Sequence, residues 1–178
     1  MKFAAAEIQG AWIIEPELQE DERGFFARTF CAQEFEAYGL ISRLVQCSIS
    51  YNRRTGTLRG LHYQAKPHEE TKLVHCMRGA IFDVIVDLRP DSRTFRKWTS
   101  VELSNRNHRL LYIPEGCAHG FQTLEDDTEV FYQMSESYHP ESARGLQWND
   151  PTLSIPWPMP NAILSNRDRS FQGFGTSS

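Results

Sequence analysis

The sequence lacks most of the short signatures that identify a cofactor or metal enzyme. It has no Gly-rich phosphate loop, no dinucleotide-binding fingerprint and no G-x-S-x-G nucleophile turn. It also has no His-x-His followed by further ligands, the pattern that a metal-binding β-barrel requires. These absences narrow the possible chemistry to acid–base side chains, and we expect neither a metal nor a cofactor.

Cysteine pairs, long apolar runs and excess positive charge are missing too. Cys31, Cys47, Cys76 and Cys117 stand far apart without a C-x-x-C, so we interpret them as reduced residues. No run approaches the ~18 apolar residues of a membrane span, and Glu7 interrupts the N-terminus before a signal peptide could form. The net charge of −4 offers no basic surface for nucleic acid. We therefore expect a cytoplasmic protein that binds neither membrane nor nucleic acid.

Short runs of aromatic and β-branched residues dominate the chain. Its 178 residues suffice for one well-buried domain, 1–178, and are few for two. A single helix is predicted at Gln33–Tyr38, ended by Gly39, and the prolines of 151–160 predict an irregular tail over the surface. Many short strands with little helix predict an all-β sandwich or barrel. The predicted strands are Trp12–Leu18, Phe25–Phe30, Leu44–Tyr51, Leu58–Gln64, Leu73–Cys76, Phe82–Leu88, Leu110–Ile113, Phe121–Leu124 and Glu129–Met134.

Polar side chains enter these strands at a few places. His62 shares a strand face with Gly60 and Gln64. His119 stands between small residues, which allow another backbone or a ligand to come close. Tyr132 lies on an apolar, inward face, where its hydroxyl needs a partner. The remaining histidines have no polar constellation around them and are interpreted as surface or packing residues; they are His68, His75, His108 and His139.

Several long motifs occur in the order found in one known family. The chain resembles the dTDP-4-dehydrorhamnose 3,5-epimerases from about residue 12 to Asp168. The matching segments are Arg23–Phe26, Leu58–Gln64, Lys72–Val74, Gly79–Asp87, Ile113–Gly116, Ala118–Phe121, Arg144–Gly145 and Trp148–Pro151.

The resemblance implies a cupin-like jelly roll, a homodimer and a nucleotide-linked 4-keto-6-deoxyhexose as substrate, without a cofactor. It makes His62 the general base and Asp168 the carboxylate that orients the imidazole. An unperturbed imidazole has a pKa of about 6.5, which suits a base near neutral pH. Lys72 would hold the enolate oxygen, and Tyr132 would return a proton from the opposite face. Two groups on opposite faces are what inversion requires.

The resemblance also implies a set of substrate-binding residues. Arg59 is expected opposite His62 by simple alternation, unless a bulge re-aims it, or else it serves another part of the ligand or a neighbouring subunit. The predicted set is Arg23, Phe26, Arg28, Gln46, Ser48, Arg59, His119, Tyr138 and Arg167.

Three positions depart from the family pattern. Arg28 replaces a glutamate, Gln46–Ser48 replaces Gln-Asp-Asn, and Ala143 replaces a glutamate before Arg-Gly. A carboxylate can accept the N3–H of thymine, whereas a guanidinium only donates. We therefore hypothesise that the base is cytosine or guanine rather than thymine. The alternative is that Arg28 faces solvent or a phosphate and the preference for thymine is kept.

Other functions stay open from the sequence. An enzyme of this kind could epimerise only C3 or only C5, or shift the ketone between positions 3 and 4. A non-catalytic module that binds a sugar nucleotide is an alternative of another class, but such a module has no need for a base, an acid and an enolate-stabilising cation together.

Overall fold

The computed structural model describes residues 1–174, and short antiparallel strands make up most of their regular structure. Each helix is six residues or shorter, and the strands have three to eight residues. The strands are β1 Lys2–Ala5, β2 Trp12–Glu15, β3 Gln19–Asp21, β4 Gly24–Phe26, β5 Gln46–Asn52, β6 Leu58–Gln64, β7 Lys72–Arg78, β8 Ala80–Asp87, β9 Trp98–Ser104, β10 Leu110–Ile113, β11 Cys117–Thr123, β12 Thr128–Met134 and β13 Ala143–Gly145. The helices are α1 Ala32–Ala37 and α2 Asn166–Arg169.

Two sheets pack face to face. The six-stranded sheet has the order β1-β2-β10-β7-β12-β5, and the five-stranded sheet has the order β13-β6-β11-β8-β9. From β6 to β8, and again from β10 to β12, successive strands lie in alternate sheets. This alternation is the jelly-roll connection of a cupin-like fold, so the predicted all-β class is confirmed.

The core fills the space between the inner faces of the two sheets. Val74, Leu111 and Val130 contribute from the six-stranded sheet, and Ile85 and Phe121 from the five-stranded sheet; all are at most 1% exposed. Each inward residue recurs at every second position of its strand, as a pleated strand requires. Burial of a side chain of this size contributes about 1.5–3 kcal/mol.

The outer faces of both sheets are covered as well. The segment after β13 places Leu153, Ile155 and Trp157 on the outer side of the five-stranded sheet. Phe35 of α1 packs against Leu73 and other residues on the outer side of the six-stranded sheet. Parts of both sheets are therefore buried on two sides, whereas the edge strand β5 keeps exposed side chains such as Ile49.

Several predicted strand boundaries need correction. β11 begins at Cys117, four residues before the predicted Phe121. β2 ends at Glu15 because Pro16 has no N–H to continue the ladder. β4 ends at Phe26, and Phe30 packs on Phe35 of α1 instead, with ring centroids 4.9 Å apart. The sequence prediction also omits β1, β3, β9 and β13. Within residues 1–174, neither helix has the length or apolar character needed to cross a membrane.

Candidate active site

A cavity of about 210 Å³ opens between the two sheets and contains the polar residues of several strands. A larger depression of about 1110 Å³ shares Tyr63 and Gln64 with it but is lined by none of the four predicted catalytic residues. The smaller cavity is therefore the candidate active site. It is lined by Gln46, His62, Tyr63, Gln64, Glu70, Lys72, Tyr132, Met134, Tyr138, Ala143, Arg144 and Arg167.

His62 is held by a carboxylate from the other end of the chain. Its Nε2 lies 2.6 Å from Asp168 Oδ1, and its side chain is 39% exposed toward the cavity. Asp168 lies in α2, where the Ser165 side chain accepts a hydrogen bond from the Asp168 backbone N–H at 3.1 Å. When Nε2–H donates this hydrogen bond to the carboxylate, Nδ1 keeps its lone pair and can accept a proton.

The surroundings of Asp168 keep its carboxyl group ionised beside His62. Burial alone would raise the pKa of the carboxyl, but the hydrogen bond and charge of His62, together with Ser165 and Arg167, outweigh burial, and the Asp168 pKa is lowered. An ionised carboxylate stabilises an imidazolium as it forms, so the geometry suits proton abstraction.

A second His–Asp pair lies beside the first. His119 of β11 is the cross-strand partner of His62, and its Nε2 lies 2.6 Å from Asp83 Oδ1. Both side chains of this second pair are almost completely buried. Burial raises the pKa of Asp83, although His119 and Lys72 act in the opposite direction. The other carboxylate oxygen, Oδ2, is buried with no hydrogen-bond partner among the described residues.

A bulge determines where Arg59 points. The pairing of β6 with β11 shifts register between His62↔His119 and Arg59↔Phe121. Cross-strand partners share a face of the sheet, and Phe121 belongs to the inner core, so Arg59 is on the same face as His62. Simple alternation therefore predicts the wrong face for Arg59. The structure instead contains the bulge that was one of the alternatives for this residue.

The small residues beside His119 have a structural reason. Gly120 of β11 lies against Gly60 of β6, and a Cβ added to Gly60 would be 2.5 Å from the Gly120 Cα. The two backbones thus approach each other at the bulge, where no side chain fits. The small residues beside His119 therefore make room for the backbone of β6 rather than for a ligand.

Tyr132 of β12 faces the pair of histidines from the opposite sheet. Its ring centroid is 6.2 Å from that of His119. Burial strongly raises its pKa, Asp83 adds to the increase, and Arg59 opposes it. The phenol is therefore protonated at neutral pH, as a group that donates a proton must be.

Lys72 lies at the start of β7, at the edge of the same cavity. Its Nζ is 3.1 Å from Glu70 Oε1 and 3.5 Å from the carbonyl oxygen of His62. Both charged side chains are largely buried. A cation held this close to the general base can stabilise negative charge that develops on a bound ketone.

The structure separates the predicted binding residues into two groups. Gln46, Tyr138 and Arg167 line the cavity, and the Tyr138 backbone N–H donates to Gln46 Oε1 at 3.0 Å. Ser48 is the cross-strand partner of Tyr132, and Arg59 donates from Nε to Asn52 Oδ1 at 2.7 Å.

The second group lies away from the cavity. Arg23 and Phe26 are on the exposed β3–β4 hairpin, where Phe26 is 71% exposed and Arg23 pairs with Asp21. Arg28 pairs with Glu34 of the same chain at 3.2 Å, a partner that neither hypothesis for Arg28 includes.

Sequence reasoning misses two features near the site. Asp83 partners His119, and the signal for it is an acidic residue on the inner face of an otherwise apolar strand. The prediction that His68 and His139 lack a polar constellation is wrong. Their rings stack with centroids 3.5 Å apart beside Glu141. The two histidines are far apart in sequence, so no local spacing reveals the contact.

The jelly roll, with His62 and Tyr132 on opposite walls of one cavity, fits the class of cupin-like sugar epimerases. The comparisons make this specific. The model of the dTDP-4-dehydrorhamnose 3,5-epimerase family matches residues 5–175. The chain belongs to the dTDP-4-dehydrorhamnose 3,5-epimerase family.

Individual relatives match over nearly their whole length. The dTDP-4-dehydrorhamnose 3,5-epimerase of Methanothermobacter thermautotrophicus is 46% identical over 174 residues, which cover 96% of this chain and 93% of the relative. The crystal structure of the Bacillus anthracis enzyme with TDP and PPi bound has a TM-score of 0.95 and 44% identity, covering 97% of this chain and 99% of the other. A Legionella pneumophila epimerase in complex with dTDP-4-keto-L-rhamnose has a TM-score of 0.91 and 40% identity, covering 97% and 92%.

Proposed function

We propose that this protein inverts C3 and C5 of dTDP-4-dehydro-6-deoxyglucose to give dTDP-4-dehydrorhamnose. The observation that carries the proposal is the placement of His62, bonded to Asp168, and of Tyr132 in the walls of one cavity. Family membership supports the same reaction. The two side chains provide a proton acceptor and a proton donor on opposite sheets, which an inversion requires.

The proposed reaction begins with proton abstraction beside the ketone. His62 Nδ1 takes the proton from the carbon, the C–H electrons form the C=C bond of an enolate, and the negative charge moves to the ketone oxygen. Asp168 stabilises the imidazolium, and Lys72 stabilises the enolate oxygen. Each step uses side chains alone, so the proposed mechanism needs no cofactor.

Protonation from the other face completes the inversion. Tyr132 gives its proton to the same carbon, the C=O bond forms again, and the configuration is reversed. The phenolate is unfavourable in its buried position because burial strongly raises the Tyr132 pKa. Nearby Arg59 partly offsets this cost. Solvent then restores both proton states before the second carbon reacts.

We further propose that residues 1–178 act as one domain and that two copies form a homodimer. The β3–β4 hairpin carries Phe26 into solvent, and the edge strand β5 exposes Ile49 at 69%. Apolar side chains with this exposure are typical of a surface that a partner covers. In the dimer, Arg23 and Phe26 would reach the nucleotide in the partner's cavity.

We also propose a cytoplasmic location. The four cysteines are free in the structure, and Cys47 is exposed. Free, exposed thiols are typical of a reducing compartment. Fractionation of the native cells, with the protein detected by antibody, would contradict this proposal if the protein were found outside the cytoplasm.

The deciding experiment is incubation with dTDP-4-dehydro-6-deoxyglucose in deuterated water, followed by proton NMR of the sugar ring. We expect the H3 and H5 signals to disappear, since each carbon would take its new proton from solvent. Loss of only one signal would make the protein a mono-epimerase, and no loss with bound sugar would make it a binding module. A CDP- or GDP-linked sugar that turned over faster would support the alternative base that Arg28 suggests.

A further inference from the structure

A second polar cluster lies outside the catalytic machinery, on the loops that follow β6 and β12. The His68 and His139 rings stack with centroids 3.5 Å apart and an interplanar angle of 7°. Glu141 Oε1 lies 3.1 Å from His139 Nδ1 and 3.9 Å from His68 Nε2. One side-chain N or O atom from each residue lies within 4.8 Å of the other two.

One buried amide holds the two loops in this arrangement. Gln64 donates from Nε2 to the carbonyl oxygens of His68 at 3.0 Å and Ser137 at 3.1 Å. Its Oε1 accepts from the His139 backbone N–H at 2.6 Å. Gln64 is only 3% exposed, so the backbone positions of both histidines are fixed from inside the protein.

We propose that His68, His139 and Glu141 form a binding site for a divalent transition-metal ion of the Zn²⁺ or Ni²⁺ type. Imidazole nitrogen and carboxylate oxygen are the ligands that such ions take in proteins. Three protein ligands leave a further coordination position for water.

Binding the ion requires the two imidazole rings to rotate out of their parallel stack, because a metal lies in the plane of each imidazole that binds it. With metal–ligand bonds of about 2.0–2.2 Å, ligand atoms around a tetrahedral ion lie roughly 3.3–3.6 Å apart. The observed separations are within 4.8 Å. His68 and His139 have side chains that are 30% exposed, and Glu141 is 67% exposed, so rotation of the side chains can close the difference.

The charges around the cluster also favour a cation. The carboxylate of Glu141 supplies one negative charge beside both imidazoles. Glu136 Oε1 lies 3.9 Å from His139 Nε2 and adds a second negative charge.

Binding at this cluster would join two loops that border the sugar cavity. Gln64 and Tyr138 both line that cavity, and Tyr138 precedes His139 directly. A ligand that binds only the folded protein stabilises it by mass action. The ion would thus brace the rim of the cavity without taking part in proton transfer.

The test is calorimetric titration of the chelator-treated protein with Ni²⁺ and with Zn²⁺ at pH 7.5. A Cys47→Ser background removes the exposed thiol as a competing ligand. We expect one ion per chain and a raised Tm. His68→Gln and His139→Gln should each weaken binding at least tenfold, because each removes one nitrogen ligand.

His108→Asn is the matched control, because His108 is partly buried and contacts Phe25 rather than the cluster. Its affinity should equal that of the parent. Absence of saturable binding up to millimolar metal would overturn the proposal. So would undiminished affinity in the His68→Gln/His139→Gln double variant, because the ion would then bind elsewhere.

Discussion

Two His–Asp pairs lie side by side in this molecule and differ in what surrounds them. His62 and His119 are cross-strand partners, and each has its Nε2 at 2.6 Å from a carboxylate. The His62 side chain is 39% exposed to the cavity, whereas His119 is 5% exposed. Because the His–Asp hydrogen bond has the same length in both pairs, any difference in their roles must come from their surroundings.

The environment acts mainly through the carboxylates. Burial would raise the Asp168 pKa, but His62, Ser165 and Arg167 together lower it, whereas burial outweighs His119 and raises the Asp83 pKa. A ready proton acceptor needs the first arrangement, with an ionised carboxylate and access to substrate. The second arrangement suits a group that shapes the wall around Tyr132. We therefore expect His62 to act as the base and His119 to support the wall of the cavity.

The largest effect is expected from removal of the exposed histidine. His62→Asn should lower kcat by about 10³-fold, because a positioned general base contributes 10²–10⁴-fold. Binding of dTDP, measured by calorimetry, should change little. A variant that kept more than a tenth of wild-type turnover would refute the assignment of the base to His62.

Loss of the proton donor should come next. Tyr132→Phe removes only the hydroxyl, and we expect epimerisation to fall about 10²-fold. Proton abstraction by His62 should continue, so deuterium should still enter the sugar with retained configuration. Equal loss of deuterium incorporation and of inversion would place Tyr132 in the abstraction step instead.

The comparison is sharpest when both aspartates are changed to asparagine. Asp168→Asn should lower kcat about 10²-fold, because an amide cannot stabilise the imidazolium or fix its tautomer. Asp83→Asn should lower kcat less than tenfold, since the raised pKa of Asp83 already disfavours its charge. Steady-state kinetics give kcat for both variants. Equal losses of kcat would mean that the two His–Asp pairs act together.

The same two variants, Asp83→Asn and Asp168→Asn, should differ in how their stability relative to wild type changes with pH. The two changes should have opposite signs. The stabilisation from Asp83, whose folded pKa is raised, is complete below the unfolded value of about 3.9 and is lost as pH rises through the folded pKa. Asp83→Asn should therefore gain stability relative to wild type as the pH rises from 3.5 to 8. Asp168 has a lowered pKa, so its stabilisation is present above about 3.9 and is lost as pH falls. Urea unfolding of each variant at both pH values tests the signs.

The smallest effect is expected at Arg28. Its pairing with Glu34 on the protein surface is exposed to solvent, and such pairs contribute little. Arg28→Ala should change kcat/KM for the dTDP-linked sugar about twofold or less. A larger shift in preference among dTDP-, CDP- and GDP-linked sugars would show that Arg28 contacts the base, with the Glu34→Gln variant as the control for loss of the pair.

The fold was predictable because alternating apolar residues mark most inward faces. Short polar strands were harder: β3 and β13 have three residues each, which are too few for a period to be visible. Family resemblance, rather than any local pattern, brought Asp168 together with His62. The face of Arg59 depends on a bulge, and an inserted residue in a ladder leaves no trace in the hydrophobic alternation.

Contacts between loops were the least predictable part of the site. His68 and His139 meet because Gln64 binds the backbone of both loops. These hydrogen bonds form only because β6 and the segment after β12 come together in space. The sequence does not reveal this, since a buried amide in a strand has many possible partners. Asp83 shows the opposite case, because a carboxylate on the inner face of a core strand needs a partner wherever the fold places it.

The distance along the chain between His62 and Asp168 has a consequence for biosynthesis. The two residues are separated by 106 positions, and α2 follows every strand of both sheets. On the ribosome, the barrel strands emerge before the carboxylate that orients the base has been translated. A nascent chain with both sheets already folded would therefore hold an unoriented imidazole. The protein would acquire its activity only as the last segment folds back onto β6.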